Sequence, residues 1–179
     1  MKVFVMRHGT TIWNLKGITQ GRTNNRLSKS GRDLTNEVAL RYKDIKFDII
    51  FSSPLMRTIQ TSNIINKYHG VKIIKDHRLI EIDQGIFSGR HKDSLTEEEK
   101  VLKFSRAESC GMESYRSVYV RTEDFIKELS KQEYKSVLIV THNVCASIIS
   151  DILNNIKVDF NDYKKLSKFS NAEIKCFEV

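Results

Sequence analysis

Two histidines, two arginines and a glutamate occupy equivalent places in this chain, each a little beyond a short apolar run. Residues 3–6 empty into Arg7, His8 and Gly9, with Asn14 six residues beyond the histidine. The run "DIIFSSPLMRT" leads to Arg57, "KIIKDHRLIEID" to Glu81 and "VLIVTHN" to His142. Together these side chains describe an anion site with a nucleophile. Arginine forks match phosphate oxygens bidentately. At ~4 Å and an effective dielectric near 20, each such charge is worth about 4 kcal/mol before desolvation. Neutral imidazole is a competent nucleophile toward phosphorus, and neighbouring arginines disfavour its protonated form. A leaving alkoxide needs a proton, which a carboxyl group shielded from water can hold. Taken singly, each residue has an ordinary role open to it: a structural histidine, a surface helix arginine, one solvated acid among 22. The agreement of four strand ends sets them apart. His69, His77 and His91 lie in polar, turn-like sequence, and no His, Cys or carboxylate spacing suggests metal ligands.

For these residues to meet, the apolar runs must be neighbouring strands whose carboxyl ends share a rim, where open α/β sheets bind ligands. β-like runs fall at 2–6, 48–52, 71–74, 137–141 and 172–179. Helical patterns lie between them. Residues 31–42 follow Ser28 or Ser30 as N-cap, and 54–68 open on Pro54, the single proline, at a position where a first helical turn tolerates it. Tyr115, Val118, Thr122, Phe125 and Leu129 recur at helical spacing within 114–130, as do Val144, Ile148, Ile149 and Ile152 within 143–153. This alternation predicts an α/β fold, a three-layer α/β/α sandwich with a mainly parallel sheet. The last run alternates Ala172, Ile174 and Cys176 on one face, which predicts an antiparallel edge strand. A helix N-terminus behind Pro54 would add donors and a favourable dipole to the anion site.

The 179 residues, 40% apolar, contain no repeat, low-complexity tract or Pro/Gly linker and suit one domain over 1–179. No stretch approaches the ~20 apolar residues of a membrane span, and one lysine followed by four apolar residues before Arg7 is too little for a secretory signal. Three cysteines without paired spacing, Cys110, Cys145 and Cys176, favour reduced thiols and a cytoplasmic protein. The net charge of +8 is spread over scattered lysines, matched by acids such as Glu97, Glu98 and Glu99. No basic run is interleaved with aromatics, so nucleic acid is not the expected partner, nor is a membrane; an anionic substrate is.

The segments "MRHGTTIWN", "QGRTNNRLSKSGR", "SSPLMRTIQT", "LIEIDQGIFSG" and "VTHN", in this order, resemble the histidine phosphatase superfamily, and within it the cofactor-dependent phosphoglycerate mutase-like branch. The resemblance runs from residue 1 to about 150, and "GMESYRSVYVRTEDFIKEL" is similar to the family's segment after its cap. It implies a phosphoglycerate mutase-like fold and a metal-independent hydrolase of phosphomonoesters, with no cofactor. His8 would be the nucleophile that becomes phosphohistidine. Arg7, Arg57 and His142 would hold the transferring phosphoryl group with Asn14. Glu81 would be proton donor and then base for water, and Gln20 and Gly21 would line the substrate pocket. Asn143 stands where a glycine commonly follows the second histidine, next to the phosphate. Ile80 replaces a frequent arginine and Asn24 a usual aspartate, while Gln84, Phe87 and Ser88 depart from common aromatic and acidic residues; these changes bear on substrate.

A short cap insertion at about 90–112, and a last strand that closes at Val179 without a tail, lead us to expect water at the phosphoenzyme. The expected reaction is therefore hydrolysis of a small phosphorylated metabolite, with mutase-type phosphotransfer or a phosphoprotein phosphatase as alternatives. A purely binding role would not need Glu81. Cys110 and Arg116 have the C-x5-R spacing of cysteine-dependent phosphatases, but they follow polar "KFSRAES" instead of a strand, and Glu113 between them would repel a dianion. The sequence leaves the oligomeric state open.

Overall fold

In the computed structural model, which describes residues 1–106, 108–160 and 165–179, five strands form one sheet in the order β3-β2-β4-β1-β5. β1 (Lys2–Arg7), β2 (Ile49–Ser52), β3 (Ile73–Lys75) and β4 (Ser136–Thr141) are parallel, and β5 (Ile174–Glu178) runs antiparallel along the free edge of β1. Every residue of the central β4 is buried. The expected α/β/α sandwich with its antiparallel edge strand is the fold observed.

The period-two alternation of the inner strands divides the core in two. Val3, Val5, Val137 and Ile139 point to one face, against α5 (Tyr115–Leu129) and α6 (Asn143–Leu153). Phe4, Met6, Leu138 and Val140 point to the other, against α2 (Lys29–Tyr42) and α3 (Met56–Asn66). Each fully buried aliphatic or aromatic side chain contributes roughly 1.5–3 kcal/mol, so a one-residue slip, which would exchange the two sets, is strongly disfavoured. In the resulting register Arg7 lies beside Thr141, Ser52 beside Val140 and Lys75 beside Ser52. The carboxyl ends of all four parallel strands therefore share one rim.

Element boundaries shift by one or two residues from the sequence expectation, and three of the shifts have a clear local cause. The helix expected from Pro54 begins at Met56, with Leu55 as N-cap. Ser53 N still pairs with Val140 O, and the Thr58 hydroxyl bonds Ser53 O at 2.8 Å and Leu55 O at 2.6 Å, so Pro54 sits in a turn held from below. β3 starts at Ile73 and not at 71, because the Asn66 side chain takes both backbone groups of Val71. β5 starts at Ile174 because Ala172 has φ 60 and gives its N–H to the carbonyls of Arg7 and His8. Two short helices were not anticipated, α1 (Ile12–Leu15) and α4 (Glu97–Phe104). Both open on capping boxes, at Thr11 with Asn14 and at Thr96 with Glu99. Residue 107 of the expected cap stretch lies outside the described residues.

Candidate active site

His8 follows β1 directly. Its N–H donates to Thr141 O at 2.9 Å, continuing the parallel ladder one residue past the strand. Gly9 then turns the chain: its N–H donates to Thr61 Oγ1 at 3.0 Å, and a Cβ there would lie 2.4 Å from Thr35 Oγ1. Only glycine lets α2 approach so closely. His142 is the N-cap of α6, one residue past β4, and Arg57 stands in the first turn of α3.

These three side chains form a sealed floor. Arg57, His8 and His142 are 1%, 2% and 0% exposed. The Arg57 Nε–H points between the two imidazoles, 3.2 Å from His8 Nε2 and 3.1 Å from His142 Nδ1. Nη1 donates to Thr23 O at 2.6 Å and Nη2 to Gly21 O at 2.8 Å. Of the five guanidinium N–H groups, three are thus committed within the protein, and the plane of the fork is fixed. His8 Nδ1 lies 2.7 Å from Gly9 O, an acceptor only, so it carries the proton and leaves Nε2 with its lone pair. By the same logic His142 Nδ1 is unprotonated and Nε2–H donates to Ser53 Oγ at 2.7 Å.

The electrostatics keep both rings neutral. Burial, then the Arg57 charge, push the His8 and His142 imidazoles well below their usual range. Burial lowers Arg57 to about 10, which still leaves it cationic at neutral pH. Glu81, beyond β3 and a single 3-10 turn (His77–Leu79), keeps a sliver of surface toward the cleft but sits deep in the protein mass. Burial raises its carboxyl, outweighing the opposing pull of Arg57 and Arg7. A carboxyl that is more easily kept protonated thus stands within reach of the Arg57 and Arg7 charges.

Above the floor opens a cleft of about 900 Å³. Of the nine residues expected to serve it, eight line it: Arg7, His8, Asn14, Gln20, Gly21, Arg57, Glu81 and Asn143. His142 does not; it lies beneath, reached through Arg57. Arg7 also donates from Nη1 to Phe169 O at 2.6 Å. The Thr11 hydroxyl sits 3.0 Å from Asn14 Oδ1 and 2.9 Å from Gln20 Oε1. The helix terminus at the cleft is α6, whose N-cap makes no side-chain cap bond and whose first residue, Asn143, lines the floor. α3 does not supply the donors expected behind Pro54, since the Met56 N–H donates to Asn24 Oδ1 at 2.7 Å. The far wall carries Lys92, Leu95, Lys100, Lys103, Phe104 and Arg106. With them the lining holds six cations against two carboxylates, Glu81 and Asp93.

Sequence reasoning missed the residues that hold this floor from behind. Ser53 supports His142, and Asn171 Nδ2 donates to the carbonyl of His8 at 3.1 Å. Ser53 was discoverable as the residue just past β2, level with Arg7 on the rim; Asn171 arrives from a loop with no periodic signal. The C-x5-R pair does not form a loop around an anion. Cys110 is packed with Phe87, Leu95 and Met112, Arg116 is exposed, and Glu113 is turned toward Arg121 and Arg22.

The family model of the histidine phosphatase superfamily (branch 1) matches residues 3–179. The chain belongs to the histidine phosphatase superfamily. It is 32% identical over 151 residues to phosphoserine phosphatase 1 of Hydrogenobacter thermophilus, covering 80% of this chain and 72% of that one. It is 41% identical over 100 residues to the Escherichia coli protein named "Probable phosphoglycerate mutase GpmB", covering 56% of this chain and 46% of the relative, so that likeness spans about half of each. Among solved structures, the phosphoserine phosphatase from Entamoeba histolytica in complex with 3-phosphoglyceric acid superposes with a TM-score of 0.81. It is 27% identical, with 99% of this chain and 90% of that chain covered. The phosphoglycerate mutase-like fold read from the sequence is thus matched over nearly the whole of this histidine phosphatase.

Proposed function

We propose that this protein is a phosphatase that hydrolyses phosphomonoesters through a phosphohistidine on His8. The observation that carries the reading is the single Arg57 Nε–H shared by the two imidazoles beneath a cationic cleft. When phosphorus takes up the lone pair of His8 Nε2, Arg57 loses one acceptor but keeps the other on His142, so its fork stays in plane to bind phosphoryl oxygens. Arg7, Asn14 and the Asn143 terminus of α6 complete the clamp, and Gln20 and Gly21 border the leaving group. In the first step the P–O bond breaks as N–P forms, and the Glu81 carboxyl gives its proton to the departing alkoxide. In the second, the Glu81 carboxylate takes a proton from water, whose oxygen displaces His8 Nε2 from phosphorus. Phosphate and a reprotonated Glu81 result, and the cycle is closed.

The substrate in this reading is a small phosphorylated metabolite. Residues from about 90 to 112 act as a short cap within one domain, since they supply the far wall of the cleft. Three free thiols support a cytoplasmic setting; no helix among the described residues is long and apolar enough to cross a membrane. The likeness to GpmB supports mutase-type transfer as a second reading, and one experiment separates them. With p-nitrophenyl phosphate and 3-phosphoglycerate as substrates, inorganic phosphate should be released without a bisphosphoglycerate primer. ³²P should appear on the wild-type chain in an acid-labile, alkali-stable form and be absent from His8→Ala. Rapid, primer-dependent formation of 2-phosphoglycerate with negligible phosphate release would overturn the assignment.

A further inference from the structure

The loop that carries Glu81 has almost no regular structure, yet it is tied down at three points by charged side chains outside the floor. The centre of the arrangement is Glu113, two residues before α5. Its N–H donates to Asp83 O at 3.2 Å, and its carboxylate accepts the Asp83 N–H, also at 3.2 Å. The same carboxylate accepts from Arg121 Nε at 3.0 Å and from Ser117 Oγ at 3.1 Å, and Arg22 Nη2 lies 3.1 Å away. Both arginines reach on to the loop. Arg22 Nε donates to the carbonyl of Glu81 at 3.2 Å, and Arg121 Nη1 to the carbonyl of Arg78 at 2.5 Å. Beyond Asp83, Gln84 bridges to Met112, and a Cβ on Gly85 would lie 1.9 Å from Cys110 O, so the two chain segments touch backbone to backbone. Arg78 and Glu81 are therefore gripped by two arginines that share one carboxylate, and Asp83 by the residue that carries this carboxylate together with Arg106, which donates to the Asp83 carbonyl.

Stability alone does not explain this arrangement. Glu113 and Arg121 have side chains 10% and 15% exposed, and ion pairs removed from water are commonly replaceable by apolar residues with no loss. Such pairs are better suited to fixing geometry. The fully buried Ile82 anchors the loop by packing, but it does not set the direction of the neighbouring carboxyl. Glu81 Oε1 accepts the Ile82 N–H at 3.0 Å, so the side chain of Glu81 turns with this peptide plane. Arg22 holds that plane at the Glu81 carbonyl, and Glu113 holds the next peptide plane at the Asp83 N–H.

We propose that the Glu113–Arg121 pair positions the Glu81 carboxyl for proton transfer to the leaving group. The inference rests on the reading of Glu81 as proton donor. Glu113 and Arg121 act through the loop and are positioning residues. The charged and titratable groups that act on Glu81 are Arg7 from β1, Arg57 from α3, Arg121 from α5, Arg106 and the thiol of Cys145 from α6. Of these, Arg121 is the cation that Glu113 balances directly. Phosphorylation of His8 needs Glu81 protonated, so kcat/KM falls as pH rises through the Glu81 titration. Glu113→Gln unmasks the Arg121 charge, favours the carboxylate and moves that alkaline limb to lower pH. Arg121→Gln removes a cation and moves it to higher pH.

The experiment measures kcat/KM, which reports phosphoenzyme formation, for glycerol phosphate and p-nitrophenyl phosphate across pH. Glu81→Gln, Glu113→Gln and Arg121→Gln are compared with wild type. Each positioning variant should lose at least tenfold more on the alkyl ester, whose leaving group needs the proton, and the two limbs should move in opposite directions. The substrate ratio does not depend on the fraction of folded enzyme. Should either variant fail to fold, Arg22→Gln, at a side chain 39% exposed, carries the leaving-group comparison. If Glu81→Gln shows the leaving-group effect while the other variants lower both substrates alike or shift their limbs the same way, the positioning role is wrong and Glu81 keeps its own. If Glu81→Gln lacks the effect, the proton-donor reading falls and this inference with it.

Discussion

The floor and the far wall of the cleft are built on opposite principles. On the floor, every polar side chain is locked by at least one partner inside the protein: Arg57 by four acceptors, His8 by Gly9 O, His142 by Ser53. On the wall, Arg106 is tied as firmly, to the carbonyls of Asp83 and Glu113 and to Gln84 Oε1, but the side formed by α4 is held more loosely. Lys100 pairs with Glu97, a side chain 85% exposed, and Lys103 donates to the Thr19 hydroxyl, at 2.7 Å, above the Phe87 ring. Phe104 and Val101 on the same helix face water. Preorganised donors stabilise a transition state because they need no rearrangement as charge develops, whereas adaptable lysines and exposed apolar groups tolerate different leaving groups. In the proposed reaction, the difference teaches that the chemistry is written in the floor and the choice of substrate in the wall.

The strongest way to break that contrast is to remove Arg57. Losing one preorganised donor typically costs about 2.7–4 kcal/mol of transition-state stabilisation, or 10²–10³-fold in rate. Arg57→Ala should show at least this loss in kcat/KM. Because Arg57 and His142 share one hydrogen bond, the double variant with His142→Ala should lose less than the sum of the two. Arg57→Lys should not rescue, since an ammonium cannot reproduce a planar fork that meets four acceptors. Near-normal kcat/KM in Arg57→Ala would remove the floor from the chemistry.

A smaller effect separates the two regions by pH. In the folded protein His8 and His142 have imidazoles held well below 6.5, whereas in the unfolded chain they titrate near 6.5. Below that value the unfolded state binds more protons, so stability falls as pH falls, by up to about 1.4 kcal/mol per pH unit for each ring. Glu81, whose carboxyl is raised, works in the opposite sense at lower pH, because there the folded state binds more protons. Comparing variants isolates the histidine contribution. Between pH 7.5 and 5.5 the melting temperature of His142→Asn should fall less than that of wild type. Equal slopes in wild type and His142→Asn would mean that His142 protonates in place.

The same contrast governs what the sequence reveals. The floor was legible because the inner strands are continuous apolar runs and the polar residue that ends each run is conspicuous; Arg7, His8, Arg57, Glu81 and His142 were all readable there. The sandwich, its mainly parallel sheet and the antiparallel edge strand followed from the same runs, but the strand order β3-β2-β4-β1-β5 did not. The wall was not legible. Its helix, EEEKVLKF, is only eight residues long and buries no residue completely, although the Thr96–Glu99 capping box was available as a start signal. The supporting contacts of Glu81 were hidden for another reason: Arg22, Glu113 and Arg121 are separated by up to a hundred residues and meet only through the fold. Pro54 misled because proline at a first helical position and proline in the turn before a helix look alike until the partners of Thr58 are seen.

The smallest expected effect lies at Cys110, where the wall offers its own imitation of a catalytic motif. The spacing from Cys110 to Arg116 would suit a thiolate nucleophile, but a nucleophilic thiol needs partial exposure and an electropositive pocket. Cys110 is instead 4% exposed among Phe87, Leu95 and Met112, and its carbonyl closes against Gly85. Its role is packing: it fills the seam between the Glu81 loop and the segment before α5. Cys110→Ala removes one sulfur from that seam and should lower stability by on the order of 1 kcal/mol, the usual size for a small core truncation. The floor does not touch the thiol, so kcat for p-nitrophenyl phosphate should stay within about twofold of wild type, as a change of about 0.4 kcal/mol would give. Thermal melting together with a steady-state assay checks both numbers. A loss of activity on the scale of Arg57→Ala, in a variant that melts normally, would move the nucleophile from the floor to the wall and reverse the comparison.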